Sequence, residues 1–156
     1  YNNDYEIFIK LLVNELQLHV NNCKKNNVNP SARLNVLSDI PYENTFIFDL
    51  FEEIYFYDYT KRANRLKACN HIKNYKLMFS YSGKQEYQKQ VNQALQFDNP
   101  IAVVFKNEFP KTFLNRPVFN GDLSDIDNST KDNHIIALKA KGSLARNSFN
   151  NFVVNN

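Results

Sequence analysis

The sequence predicts an α+β domain, mainly helical over residues 1–73 and strand-rich over residues 74–156. Three observations lead there. Residues 4–22 carry apolar side chains around most of a helical circumference. The runs IAVVF (101–105) and HIIAL (134–138) are short, rich in β-branched residues and bounded by polar or proline-containing stretches. The chain has 156 residues, of which 43% are hydrophobic, so it suits one domain with a real core.

The elements follow in order. In DYEIFIKLLVNELQLHVNN, Tyr5, Phe8, Leu12 and Leu16 lie near one face, and Ile9, Leu11, Val13, Leu18 and Val20 widen it. A helix of this kind is expected at the centre of a domain. NNCKKNNVNP, with Pro30, ends it. A second helix is expected over 42–57, entered through Pro41, with Phe46, Leu50, Phe51 and Ile54 as its core stripe. YKLMFSY (75–81) alternates and reads as a strand, closed by Ser82-Gly83. Residues 85–96 read as an amphipathic helix with Tyr87, Val91, Ala94 and Leu95 inward. Strands follow at 101–106, 134–141 and 150–156, and a long polar loop spans 107–133.

Composition narrows the function classes. A net charge of +3 without an arginine-rich stripe argues against a nucleic-acid interface. Two cysteines make no disulfide framework. No apolar run reaches the roughly 18 residues of a membrane span. Only 3 glycines occur, so positive-φ positions must lean on asparagine. Asn128-Ser129-Thr130 fits a glycosylation sequon, a triplet common by chance. Asp122, Asp125, Asp127 and Asp132 lack EF-hand spacing and read as a solvated acidic loop. No cofactor motif is read.

Several segments resemble papain-like cysteine peptidases. VNQALQFDNPIAVVF looks like the helix and strand that precede that family's histidine, and NHIIALKAKG like the strand the histidine opens. FLNRPVFNG is similar to the turn between them, and NNFVVNN to the strand that ends in the family's asparagine. The resemblance implies His134 as general base and Asn156 as its orienter. It puts Tyr5 where the nucleophilic cysteine stands, with Phe8 and Glu15 matching later positions on the same helix. A phenol with a pKa of about 10 is no competent nucleophile at neutral pH. The resemblance therefore implies a pseudopeptidase or fragment: a central N-terminal helix packed on a small twisted antiparallel sheet, its former substrate cleft open to a protein or peptide. It also suggests a secreted or lysosomal-type setting.

Two other readings stand beside it. One is a non-catalytic protein-binding module using the aromatic run that includes Tyr55, Tyr57 and Tyr59. The other is a small zinc module, with His19 and Cys23 one helical turn apart and Cys69 and His71 as the second pair. Both cysteines otherwise read as ordinary free thiols.

Overall fold

The computed structural model describes residues 2–142 and 152–155. The chain opens with helix α1 (Asn2–Lys25), then strand β1 (Ser31–Ala32), a 3-10 turn at Tyr42–Asn44 and the short helix α2 (Ile47–Leu50). Strand β2 (Tyr55–Thr60), helix α3 (Ala63–Cys69), strand β3 (Tyr75–Ser80), helix α4 (Gln88–Ala94) and strand β4 (Ile101–Phe105) follow. Strands β5 (Thr112–Phe113) and β6 (Arg116–Asn120), helix α5 (Asp125–Ser129), strand β7 (Ile135–Lys139) and strand β8 (Val153–Val154) complete it.

The chain is mixed α/β. Its sheet runs β1-β2-β3-β4-β7-β6-β5, with β8 beside β4. Among the described residues every pairing is parallel except the β5–β6 hairpin. This corrects the expected antiparallel sheet. Helices α3, α4 and α5 lie between consecutive strands and carry the chain back to the same end of the sheet, and parallel strands require such crossovers. The expected helix over 42–57 is also corrected. Its first part forms only the 3-10 turn and α2. From Tyr55 on, half-buried Tyr55, Tyr57 and Tyr59 alternate with buried Phe56, Asp58 and Thr60, a two-residue period that fits a strand. The loop expected over 107–133 contains β5, β6 and α5.

The register places Phe56, Leu77, Phe79, Ile101, Val103, Ile135 and Ala137 on one face. These residues join Leu16 and Val20 of α1, Phe48 of α2, Leu66 of α3 and Val91 of α4 in one apolar cluster. Fully burying each large side chain there contributes about 1.5–3 kcal/mol. The Phe48 ring stacks on Tyr75 at 4.3 Å and meets Phe56 edge-on at 5.0 Å, which fixes α2 against the sheet. Helix α1 does not take the central position expected of it. It buries Ile9, Leu16, Val20 and Cys23 but leaves Tyr5, Ile7, Phe8, Leu11 and Leu18 exposed.

The second face carries Tyr57, Tyr59, Ser80, Ala102, Val104 and Leu138, and α5 covers only part of it. The reason is topological. Strands β2, β3 and β4 advance across the sheet, whereas the step from β6 to β7 runs backward. With crossovers of one hand, that reversal puts α5 on the opposite face from α3 and α4. Tyr55 Oη lies 2.7 Å from Ser129 Oγ, and Tyr59 Oη donates to Asp125 at 2.8 Å, so α5 is pinned to β2.

Asparagine supplies most of the left-handed backbone. Asn27, Asn115 and Asn133 have φ of 52°, 60° and 58°. Leu114 and Asn115 are both left-handed, which matches the type I′ turn that closes β5 onto β6. Asn128 of the sequon is fully buried and donates its Nδ2 to the Gly121 carbonyl at 2.8 Å, which leaves no room for a glycan.

Candidate functional site

Beside β4, β3 pairs only with Ile101 and Ala102. Further along the same edge, β8 pairs with Val104 and Phe105. Strands β3 and β4 therefore part toward their carboxyl ends, and the C-terminal segment enters the gap. The second face opens there into a cleft of about 850 Å³. In open α/β sheets the carboxyl edge, where successive connections leave to opposite sides, is the usual ligand position. Here the order reverses between neighbours β4 and β7: after β4, Phe109 packs on Phe105 of the first face, whereas α5, which leads into β7, lies on the second.

The floor of the cleft is apolar: Ala102, Val104 and Leu138. Tyr57, Tyr59 and Phe152 supply aromatic walls, and Gly121 to Ile126 form the lip. That lip approaches the sheet closely because residue 121 has no side chain. A Cβ there would lie 2.3 Å from Ile136 Cγ2. The Gly121 amide uses the proximity to donate to the Ala137 carbonyl at 2.8 Å.

Charged groups ring this floor, most of them engaged. The Arg33 guanidinium lies 4.6 Å from the Tyr59 ring centroid, and its Nη1 is 3.7 Å from Asp125. Arg33 Nε is buried without a hydrogen-bond partner among the described residues; Asp58 Oδ1 stands 4.0 Å away. Lys141 pairs with Asp122 at 3.7 Å, and Lys139 donates to the Asn107 carbonyl. Burial, then the hydrogen bond and charge of Asp125, push the Tyr59 phenol well above its ordinary value, so it remains a hydrogen-bond donor.

Beneath Tyr57 and Tyr59, on the opposite face, Asp58 is fully buried. It accepts from the Asn35 amide at 2.8 Å, from Asn35 Nδ2 at 3.3 Å and from Tyr75 Oη at 3.4 Å. Beside it, Arg65 grips Glu43 through Nε at 2.7 Å and Nη2 at 2.6 Å, and Asp39 through Nη1. This network closes the first face and holds β2 in place.

The residues expected from the sequence are scattered. His134 precedes β7, is partly exposed and donates from Nδ1 to the Asp132 carbonyl at 2.8 Å. Tyr5 lies exposed near the start of α1 and lines a surface recess with Asn44, Thr45 and Phe46. Among the described residues no hydrogen bond or cavity joins the two. Asn156 lies outside the described residues. The proposed zinc ligands do not converge. Cys23 Sγ is 3.7 Å from His19 Nε2 at the end of α1, whereas Cys69 belongs to α3. Among the described residues no three His, Cys, Asp or Glu side chains meet as a metal site. Burial, then the Glu43 charge, push the Cys69 thiol up to about 12, far from a reactive thiolate.

Of the residues singled out in the sequence, Tyr57, Tyr59, Asp122 and Asp125 do line the cleft. Arg33, Ser80, Ala102, Val104 and Leu138 were missed. The available signal was position, since Ser80, Val104 and Leu138 stand at or near the carboxyl ends of strands, but it becomes readable only once those strands are known to be parallel.

A model of the Gene product 88 family matches residues 2–155. No curated protein and no solved structure matches the chain. Matched over nearly all of its length, the chain belongs to the Gene product 88 family.

Proposed function

We propose that this protein binds a small molecule with a flat, largely apolar body in the cleft on the second face of its sheet. The observation that carries the proposal is the parting of β3 and β4 beside the β4–β7 boundary at which the strand order reverses. The lining supports it. Ala102, Val104 and Leu138 offer apolar area, while Tyr57, Tyr59 and Phe152 offer ring faces. A volume of about 850 Å³ lies within the range of roughly 300–1,000 Å³ usual for small-molecule sites. The test is a flat-ligand screen by thermal shift on wild type and Ala102→Trp, whose indole fills the floor. Ligands that stabilise the wild type and not the variant support the proposal. Equal stabilisation of both defeats it.

A protein-binding role is the second reading, favoured by α1. At about 100° per residue, Ile7, Leu11 and Leu18 fall on one line opposite buried Ile9, Leu16 and Val20. Three large exposed apolar residues in a row suit helix-mediated contact. Sedimentation velocity tests self-association through this line: it predicts an oligomer that Leu11→Glu dissociates. A monomer at every concentration removes that form of the reading.

A further inference from the structure

Lys61 directly follows β2. Its Nζ donates to Ser80 Oγ at 3.3 Å and lies 4.7 Å from the Phe152 ring centroid and 5.4 Å from that of Tyr87. Ser80 and Phe152 both line the cleft, so the ammonium stands at its margin. Among the described residues, the other cations that line the cleft each have a partner, although Arg33 Nε has no hydrogen bond. Arg33 is held by Asp125 and Tyr59, Lys141 by Asp122, and Lys139 by the Asn107 carbonyl. Lys61 differs from Arg33 and Lys141. Among the described residues no carboxylate pairs with it, although it is half-buried.

The electrostatics point the same way. Burial first, and the nearby Lys84 cation second, pull the Lys61 amine below its ordinary 10.5. A desolvated cation facing another cation gains from a counter-ion. Its hydrogen-bond geometry leaves room for one. Because Lys61 donates to Ser80 Oγ, the Ser80 hydroxyl keeps its own proton to donate onward.

We propose that the Lys61–Ser80 end of the cleft binds an oxyanion, the phosphate or carboxylate of a ligand whose flat body lies over Ala102 and Val104. The inference rests on the small-molecule reading of the cleft and names the polar group that its ligand carries. Lys61 supplies charge and a donor, Ser80 a second donor, and Lys84 a longer-range attraction.

Calorimetric titration of two probe pairs tests it: adenosine against adenosine monophosphate, and benzamide against benzoate. The proteins are wild type, Lys61→Gln, Lys61→Arg, Ser80→Ala and Ala102→Trp. In wild type the anionic member of at least one pair binds about tenfold or more tighter than its neutral partner. Lys61→Gln removes that advantage, Lys61→Arg restores part of it, and Ser80→Ala reduces it. The pair that shows the effect distinguishes phosphate from carboxylate. The inference is overturned if neither anion binds tighter than its neutral partner, if none of the four probes binds, or if the advantage survives Lys61→Gln. Neutral probes that bind the wild type but not Ala102→Trp, with no gain from the anionic group, overturn this inference alone. Binding insensitive to Ala102→Trp overturns the cleft reading with it.

Discussion

Arg65 ties together the polar end of the first face. Its guanidinium is buried against Glu43 and Asp39. Burial alone would lower its pKa, but the hydrogen bonds and charges around it, Glu43 foremost, raise it. Arg65→Met leaves the Glu43 carboxylate buried without its partner. A loss of about 3–5 kcal/mol in urea unfolding is expected. A loss below about 1 kcal/mol, typical of an exposed pair, would mean that water reaches the network. Asp58 gives a prediction with a sign. Burial raises its carboxyl above 3.8, against the pull of Asn35, Arg33 and Tyr75. As pH rises through this window the unfolded chain has already lost the proton that the folded chain still holds. Folded stability therefore falls between 3.8 and the raised folded value. Asp58→Asn abolishes that fall, so its stability relative to wild type must climb across the window and level off above it. A difference independent of pH would show that Asp58 titrates normally. Cys69 is the simplest case. With its thiol pushed up to about 12, iodoacetamide should label it near neutral pH only after unfolding.

Elements with one clear period were legible in the sequence. Helix α1, strands β3, β4 and β7 and helix α4 all fall where the spacing of apolar residues puts them. Strand β2 was not legible. The apolar spacing of Phe46, Leu50, Phe51 and Ile54 suggests a helix that runs straight into Tyr55, and only tertiary packing decides where it stops. Asn74 Nδ2 is part of that decision, donating to the Phe48 and Phe51 carbonyls at 3.0 Å each, where α2 ends. The lip of the cleft was equally hidden, because Gly121 matters only through its approach to β7. Gly121→Ala must displace Ile136, at an expected cost of about 1–3 kcal/mol. Thermal unfolding measures it. An unchanged midpoint would mean that the lip stands clear of the sheet. His134 shows the opposite problem. Its sequence context resembles a catalytic site, but the described hydrogen bond of its ring is to the carbonyl two residues earlier, in the turn that starts β7.

For the molecule as a whole, a mixed α/β chain was legible and the strand direction was not. Direction depends on which end each connection returns to, and α3, hidden in the polar run after Lys61, is one of the elements that settle it. The cleft could not be read either, because its walls come from positions as far apart as Arg33 and Phe152 and meet only after the sheet forms. Of the residues that the peptidase resemblance singles out, the described Tyr5 and His134 lie elsewhere, on α1 and ahead of β7. Amide chemical-shift mapping on titration with any flat ligand that stabilises the fold separates these locations in one experiment. The largest shifts should fall on Tyr57, Ser80, Ala102, Val104, Asp122 and Leu138. Shifts centred instead on Tyr5 and the start of α1, or on His134 and the Asp132 turn, would contradict a ligand site at the parting of β3 and β4.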